Sequence, residues 1–392
     1  MSPKGEEVGE GIGELEAGAV LTVDLDAIRA NYRLLADRAA PTRTAAVVKA
    51  DAYGLGAPKV VAALRREGCD AFFVAHLAEA RAVLPAAGPN AAVYVLNGVP
   101  PGAEPLAVRL GAVPVLNSLP QVEAWKAAAR DAGRRLAAAL HIDTGMSRLG
   151  LSPEEAVELG RRQDALAGLD VKLILSHLAS AEECENPSNA RQLARFIEAA
   201  AAFPGTPLSL ANSSGILLGP KFHFDLVRAG AALYGINPLP GQPNPMRQAV
   251  RLSARVVQAR RLAPGDAVGY GGEFTAERPM TVATIGLGYG DGWPRRARTA
   301  AFFGAARLPM LGRISMDTMV VDLSSLSADQ VSACHEVQLL CSNQTSDDLA
   351  AASGTIAYEI LTSLGRRFHR KYVEQQSSER RSQAGRDPRP VG

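Results

Sequence analysis

Thr44-Ala45-Ala46-Val47-Val48-Lys49 is a short apolar run closed by a lysine, and Ala50-Asp51-Ala52-Tyr53-Gly54-Leu55-Gly56 is its glycine-punctuated exit. Four apolar residues before the lysine read as a buried strand, and the two glycines read as the turn that leaves it. A primary amine at a buried strand end loses hydration, which disfavours its charged form and lowers its pKa. A neutral lysine is a nucleophile able to form a Schiff base with a carbonyl compound. The plain alternative is a lysine whose stem lies along the strand end while its amine reaches solvent.

Similar runs recur outward from this one: Ala71–Ala75, Ala92–Leu96, Val113–Leu116, Leu136–Ile142, Val171–Ser176, Leu208–Ala211 and Asp225–Ala229. Helical stretches lie around and between them, including Asp26–Ala39, Leu119–Asp131, Pro153–Ala167 and Ser188–Ala202. Eight runs with intervening helices predict a (β/α)8 barrel, because parallel strands need crossover helices. A doubly wound sheet is the alternative. Past Gly235 the texture changes, and Pro238, Pro240, Gly241, Pro243 and Pro245 mark a linker. Strand-like runs follow at Ala254–Ala259, Met280–Ile285, Arg313–Leu323 and Val337–Cys341, then a helix from Thr355 to about Phe368. They predict a mainly antiparallel β domain. The expected organisation is an N-terminal extension (1–19), a barrel (20–247), the β domain (248–373) and a disordered basic tail (374–392).

Composition narrows the function classes. The chain has 392 residues and a net charge of +2. Residues 366–392 hold eight basic and three acidic residues (+5), which leaves the body at −3. That asymmetry reads as a solvated tail rather than a nucleic-acid surface. No apolar run has the length of a membrane helix. The acidic start lacks the pattern of a secretory signal. The four cysteines form no CxxC pair, so reduced thiols in a cytoplasm are expected, with neither a disulfide framework nor a zinc site. The six histidines form no HExxH pattern, and no metal is expected.

In a barrel, functional residues sit at the C-terminal strand ends. Lys49, His177, Asn212, Ser213 and Arg228 all fall there, as does the string His141-Ile142-Asp143-Thr144-Gly145-Met146-Ser147-Arg148-Leu149-Gly150. Each has a plain reading: a helix cap for Asn212-Ser213-Ser214, a core histidine for His177, an Asp225 ion pair for Arg228, a turn-stabilising arginine for Arg148. The functional readings are backbone N–H groups aimed at an anion near Ser213 and Gly230, and a bidentate grip on a carboxylate by Arg148.

Lys49 to Gly56, Asp143 to Gly150, Ser176 to Glu183, Asn212-Ser213, Arg228 to Gly235, Gly269-Tyr270-Gly271, Gly288 to Gly292, Gly312 to Asp317 and Ala357-Tyr358-Glu359 together resemble the motifs of the alanine racemases, in that family's order. The resemblance implies a pyridoxal 5'-phosphate enzyme built as a barrel plus a β domain. It implies a homodimer with shared active sites and a cytoplasmic enzyme that makes D-alanine for peptidoglycan. Carried over, Lys49 holds the cofactor. Tyr53, Ser213, Gly230, Ala231 and Tyr358 surround its phosphate, His177 lies by its ring, Arg228 stands at the pyridine nitrogen, and Asn212 is a further cofactor-binding residue. Arg148 and Met316 bind substrate, and Tyr289 and Arg313 line the entrance. Racemisation needs a proton exchanged on each face of a planar carbon, which implies two bases: Lys49 for the D-isomer and the partner subunit's Tyr270 for the L-isomer.

Two positions depart from the family pattern. Leu55 stands where many members have histidine. His141 stands where several carry a carbamate-modified lysine bracing the arginine, so another anion or a water network is expected to support Arg148. Rival readings are a racemase of broader specificity (serine, for example), a related amino-acid decarboxylase, and a non-catalytic carrier of the cofactor. Cys334 and Cys341 sit in the wrong context for the decarboxylase, and the segment after residue 248 is superfluous for a carrier.

Overall fold

The computed structural model describes residues 12–162 and 164–374, so the expected tail lies outside the described residues apart from Glu374. Contacts divide the chain into two units, residues 28–247 and residues 1–27 with 248–392.

The first unit is the expected barrel. After strand β1 (Ala19–Asp24), its strands are β2 (Arg43–Val47), β3 (Ala71–Val74), β4 (Ala92–Val95), β5 (Val113–Leu116), β6 (Leu136–His141), β7 (Leu169–Leu175), β8 (Leu208–Ser209) and β9 (Leu226–Ala229). All eight predicted runs are strands, parallel and ordered β8-β7-β6-β5-β4-β3-β2-β9. Closure is made by Asp225 N to Leu208 O at 3.1 Å and Arg228 N to Ala211 O at 2.9 Å. Strands buried on both faces need apolar residues on both, which is why these runs do not alternate with polar residues. Val47, Phe73, Tyr94, Val115, Leu173 and Leu226 fill the interior, with the Phe73 and Tyr94 rings stacked at 4.6 Å. The outward residues Ala46, Val48 and Phe72 are buried as well.

The second unit is the β domain, organised on β10 (Val250–Leu262). Three expectations are corrected here. β1, expected within the barrel, pairs antiparallel with β10 (Ala19↔Ala254 to Val23↔Val250) and parallel with His369–Val373. Its neighbours lie more than 200 residues away, and the helix that follows it imitates a barrel βα unit. Within Arg313–Leu323 only Met319–Asp322 is a strand, because Ser315 N turns back onto Thr318 O at 3.0 Å. The closing helix spans only Ala357–Ser363; Gly365 N turns to Asp291 O at 2.9 Å, and the chain continues into the strand beside β1. A hairpin, Ala300–Phe303 with Ala306–Leu311, adds two strands beyond the expected runs. Among the described residues no helix is long and apolar enough to cross a membrane.

Candidate active site

Lys49 leaves β2 directly into a turn of the opposite hand. Ala50, Asp51, Ala52 and Tyr53 have φ of 51°, 55°, 53° and 57°. Each such L-residue costs roughly 1–2 kcal/mol, so the surroundings must hold the turn. Glu79 Oε1 accepts Ala50 N at 2.8 Å, Asp51 Oδ1 accepts Ala57 N at 2.7 Å, and Val48 O accepts Ala52 N at 2.9 Å. Strain of this kind collects at functional sites. Burial, and then the Arg148 guanidinium, draw the half-buried Lys49 amine below its ordinary pKa; Glu79 opposes them. The turn brings the Tyr53 hydroxyl to Gly230, where a Cβ would stand 3.1 Å from it. That close approach admits only glycine comfortably.

Arg228 points into the barrel from β9 and is 3 % exposed. Nη1 donates to Ser209 O (3.0 Å) and Ser209 Oγ (2.6 Å); Nη2 donates to Ser176 O (2.6 Å), Leu210 O (3.2 Å) and His177 Nδ1 (3.3 Å). Every acceptor is neutral. Asp225 instead accepts Leu208 N, so the ion-pair reading fails. Nε donates to nothing among the described residues. Burial lowers the arginine to a pKa of about 10, still cationic at neutral pH. Burial first, then Arg228, holds His177 well below the imidazole range, so its ring is neutral. With Nδ1 accepting from Arg228, the network assigns its proton to Nε2.

After β8, Asn212 Oδ1 caps the helix Ser213–Leu217 through Gly215 N at 2.8 Å. Ser213 Oγ accepts Gly230 N at 2.8 Å and Ala232 N at 3.4 Å. Tyr53, Ser213, Gly230 and the turn Ala231–Tyr234 therefore share one corner of the rim.

His141 ends β6. Asn117 Nδ2 donates to Leu96 O and Val115 O, both at 2.9 Å, so its Oδ1 must accept from His141 Nδ1 at 2.8 Å. Burial, reinforced by Arg228 and partly offset by Asp143, lowers the imidazole pKa to about 4. In the next loop Asp143 Oδ1 accepts the backbone N–H of Gly145, Met146 and Ser147 at 2.9, 2.9 and 3.1 Å. Burial alone would raise this carboxyl; these three bonds outweigh it and hold it below the usual range. The loop presents an exposed Arg148 whose guanidinium makes no hydrogen bond or ion pair among the described residues.

The β domain gathers its own group. Tyr270, 70 % exposed, lines a cleft of about 540 Å³ with Ser315, Met316 and Thr318. Met316 O accepts Gly290 N at 2.8 Å, and a Cβ on Gly288 would stand 2.4 Å from that oxygen. Ser315 O accepts Tyr289 N at 3.0 Å, and Arg313 Nε donates to Glu273 at 3.0 Å. Tyr358 is half-buried on the helix Ala357–Ser363.

Residues 23–238 match the family model for the alanine racemase N-terminal domain, and residues 249–372 match that for the alanine racemase C-terminal domain. The chain belongs to the alanine racemase family. It is 53 % identical over 362 residues to a catabolic alanine racemase of Mesorhizobium japonicum, covering 92 % of this chain and 95 % of that one. It is 48 % identical to an alanine racemase of Brucella canis, with the same coverage. The crystal structure of the Bartonella henselae alanine racemase with covalently bound pyridoxal phosphate superposes with a TM-score of 0.85 at 42 % identity, covering 91 % of this chain and all of that one. The biosynthetic alanine racemase of Pseudomonas aeruginosa gives 0.83 at 36 %, with the same coverage.

Several supporting residues of this racemase escaped the sequence reading. Asn117 follows β5 as Lys49 follows β2, and the same strand-end rule would have found it. Glu79 closes a capping box on its own helix, but its bond to Ala50 N spans 29 residues, and no local pattern marks that role. Leu55, the first departure from the family pattern, is fully buried, where an apolar side chain is at home.

Proposed function

We propose that the enzyme interconverts L- and D-alanine on pyridoxal 5'-phosphate held by Lys49, as a homodimer with shared sites. The reading rests chiefly on Lys49, an amine at a strand end whose pKa burial and Arg148 lower, in the barrel rim that also carries Arg228. The residues suit the cofactor. Lys49 offers a nucleophilic amine, the Gly230 corner with Ser213, Tyr53 and Ala231 suits a phosphate, and Arg228 keeps Nε for a ring nitrogen. Asn212 shapes that corner as a helix cap, and Tyr358 is assigned to it by motif alone. When bound, the cofactor supplies an electron sink that acidifies the substrate's α-hydrogen.

The protein does the rest. Arg148 grips the alanine carboxylate with the Met316 backbone beside it, orienting the Cα–H bond. Arg228, a fixed cation, would withhold a proton from the ring nitrogen of the bound cofactor and so limit side reactions. Neutral His177 would lie by the ring. Lys49, its amine released as the substrate amine takes its place, would move the proton on the face used by D-alanine, and the partner subunit's Tyr270 would move it on the other. Tyr289 and Arg313 line the entrance, where they would exclude long side chains.

Mixed dimers test both the activity and the sharing. Lys49→Ala and Tyr270→Phe chains are each expected to be inactive in release of D-alanine from L-alanine, assayed beside a panel of other L-amino acids. Co-expressed, they form hybrids with one intact site only if Tyr270 serves the partner; no regained activity would refute the arrangement. For the product we propose supply of peptidoglycan D-alanine, and deletion that leaves growth independent of added D-alanine would argue for a catabolic use instead.

A further inference from the structure

Two rim loops, 143–150 after β6 and 177–186 after β7, are tied together by one side chain of the helix Pro187–Ala200. Gln192 is 2 % exposed. Its Nε2 donates to His177 O at 2.9 Å and to Thr144 Oγ1 at 3.3 Å, while its Oε1 accepts Ala179 N at 2.9 Å. Thr144 Oγ1 also pairs with Ser176 Oγ at 2.7 Å, beside the Ser176 carbonyl that receives Arg228. Three residues on, Arg195 Nη1 reaches Thr144 O at 3.4 Å. Only a primary amide offers two donors and an acceptor in one planar group of this size. A carboxylate would lose both donors, and an apolar side chain would leave the Ala179 N–H without its partner.

The contact matters because of what it holds. Loop 143–150 is internally rigid: Asp143 gathers three of its amides, and its ends are pinned by Asp143 N to Leu151 O and Leu151 N to His141 O, both at 2.8 Å. Among the described residues Arg148 makes no hydrogen bond or ion pair, so it stands wherever the loop puts it. Thr144, four residues earlier, is where the loop is fastened to the His177 side.

We infer that Gln192 is a positioning residue for the alanine carboxylate, setting through Thr144 where Arg148 stands relative to the strand end that carries His177. The inference rests on the reading of Arg148 as the carboxylate grip. Propionate is the probe, since it keeps the carboxylate and carbon chain of alanine but lacks the amine. In the holoenzyme, Gln192→Leu and Thr144→Val should each raise the KM for L-alanine and the propionate inhibition constant in parallel, by about tenfold. The double variant should add little to the larger single effect, because both break one contact. kcat and the visible absorption of the holoenzyme should stay near wild type. A fall in thermal midpoint with KM and inhibition constant unmoved would overturn the inference and leave Gln192 a structural residue. Arg148→Ala separates the two layers. If it leaves propionate inhibition unchanged, the Arg148 reading fails and takes this one with it. If it weakens propionate steeply while the Gln192 and Thr144 variants do not, the inference alone is wrong. Should Gln192→Leu not fold, Thr144→Val carries the test from the other side of the contact.

Discussion

Arg228 and Arg148 stand at the same rim of the barrel and are treated in opposite ways. Arg228 is buried, and five hydrogen bonds to neutral acceptors consume its Nη donors. Arg148 is exposed and bonds to nothing among the described residues. A buried cation persists only when its donors are satisfied, and once satisfied it is a fixed charge that cannot follow a ligand. An unpaired guanidinium on a rigid loop is free to take a carboxylate. Station alone does not distinguish these roles; the hydrogen-bond census does.

The contrast breaks most sharply under truncation. Arg228→Ala strips partners from the carbonyls of Ser176, Ser209 and Leu210 and should cost about 4 kcal/mol of stability, the scale of several buried acceptors left unpaired. A urea midpoint unchanged from wild type would contradict this.

His141 lies within the field of both arginines, which helps to keep it neutral, and its effect should come next in size. Its folded pKa, about 4, lies below the unfolded value of 6.5. Between those values the unfolded chain takes a proton that the native imidazole refuses. The stability tied to the neutral ring is therefore complete above pH 6.5 and is lost as pH falls through 4, about 3 kcal/mol in all. His177 acts in the same direction. Unfolding free energy of His141→Gln should change less steeply than wild type between those limits; identical slopes would rule His141 out.

Arg148→Ala sharpens the comparison from the other side. Stability should stay within about 0.5 kcal/mol, while the KM for alanine rises about 100-fold, the scale of a lost charge-assisted pair. A large stability loss with an unmoved KM would reverse the assignment of the two arginines.

The positions of both arginines were legible in the sequence, and their treatment was not. Continuous apolar runs are what strands buried on both faces require, so the eight barrel strands and their polar end residues could be read directly. The partners of Arg228 come from residues up to 52 positions away, and no local pattern announces them. β1 was misplaced for the same reason: its neighbours are Val250–Ala254 and His369–Val373. The left-handed turn after Lys49 was hidden because its residues, Ala50 to Tyr53, include no glycine. The local rule that flags positive φ had nothing to act on there.

In the proposed mechanism, opposite faces of the substrate are served by different residues, Lys49 and the partner subunit's Tyr270. Exchange of the alanine α-hydrogen in D2O, followed by NMR, tests it one face at a time. Wild type should exchange the α-hydrogen of both isomers. Tyr270→Phe, at a position 70 % exposed and therefore cheap to change, should still exchange that of D-alanine. It should lose exchange from L-alanine by at least about 10³-fold, the scale of a missing general base. Exchange from L-alanine at the wild-type rate would contradict the account.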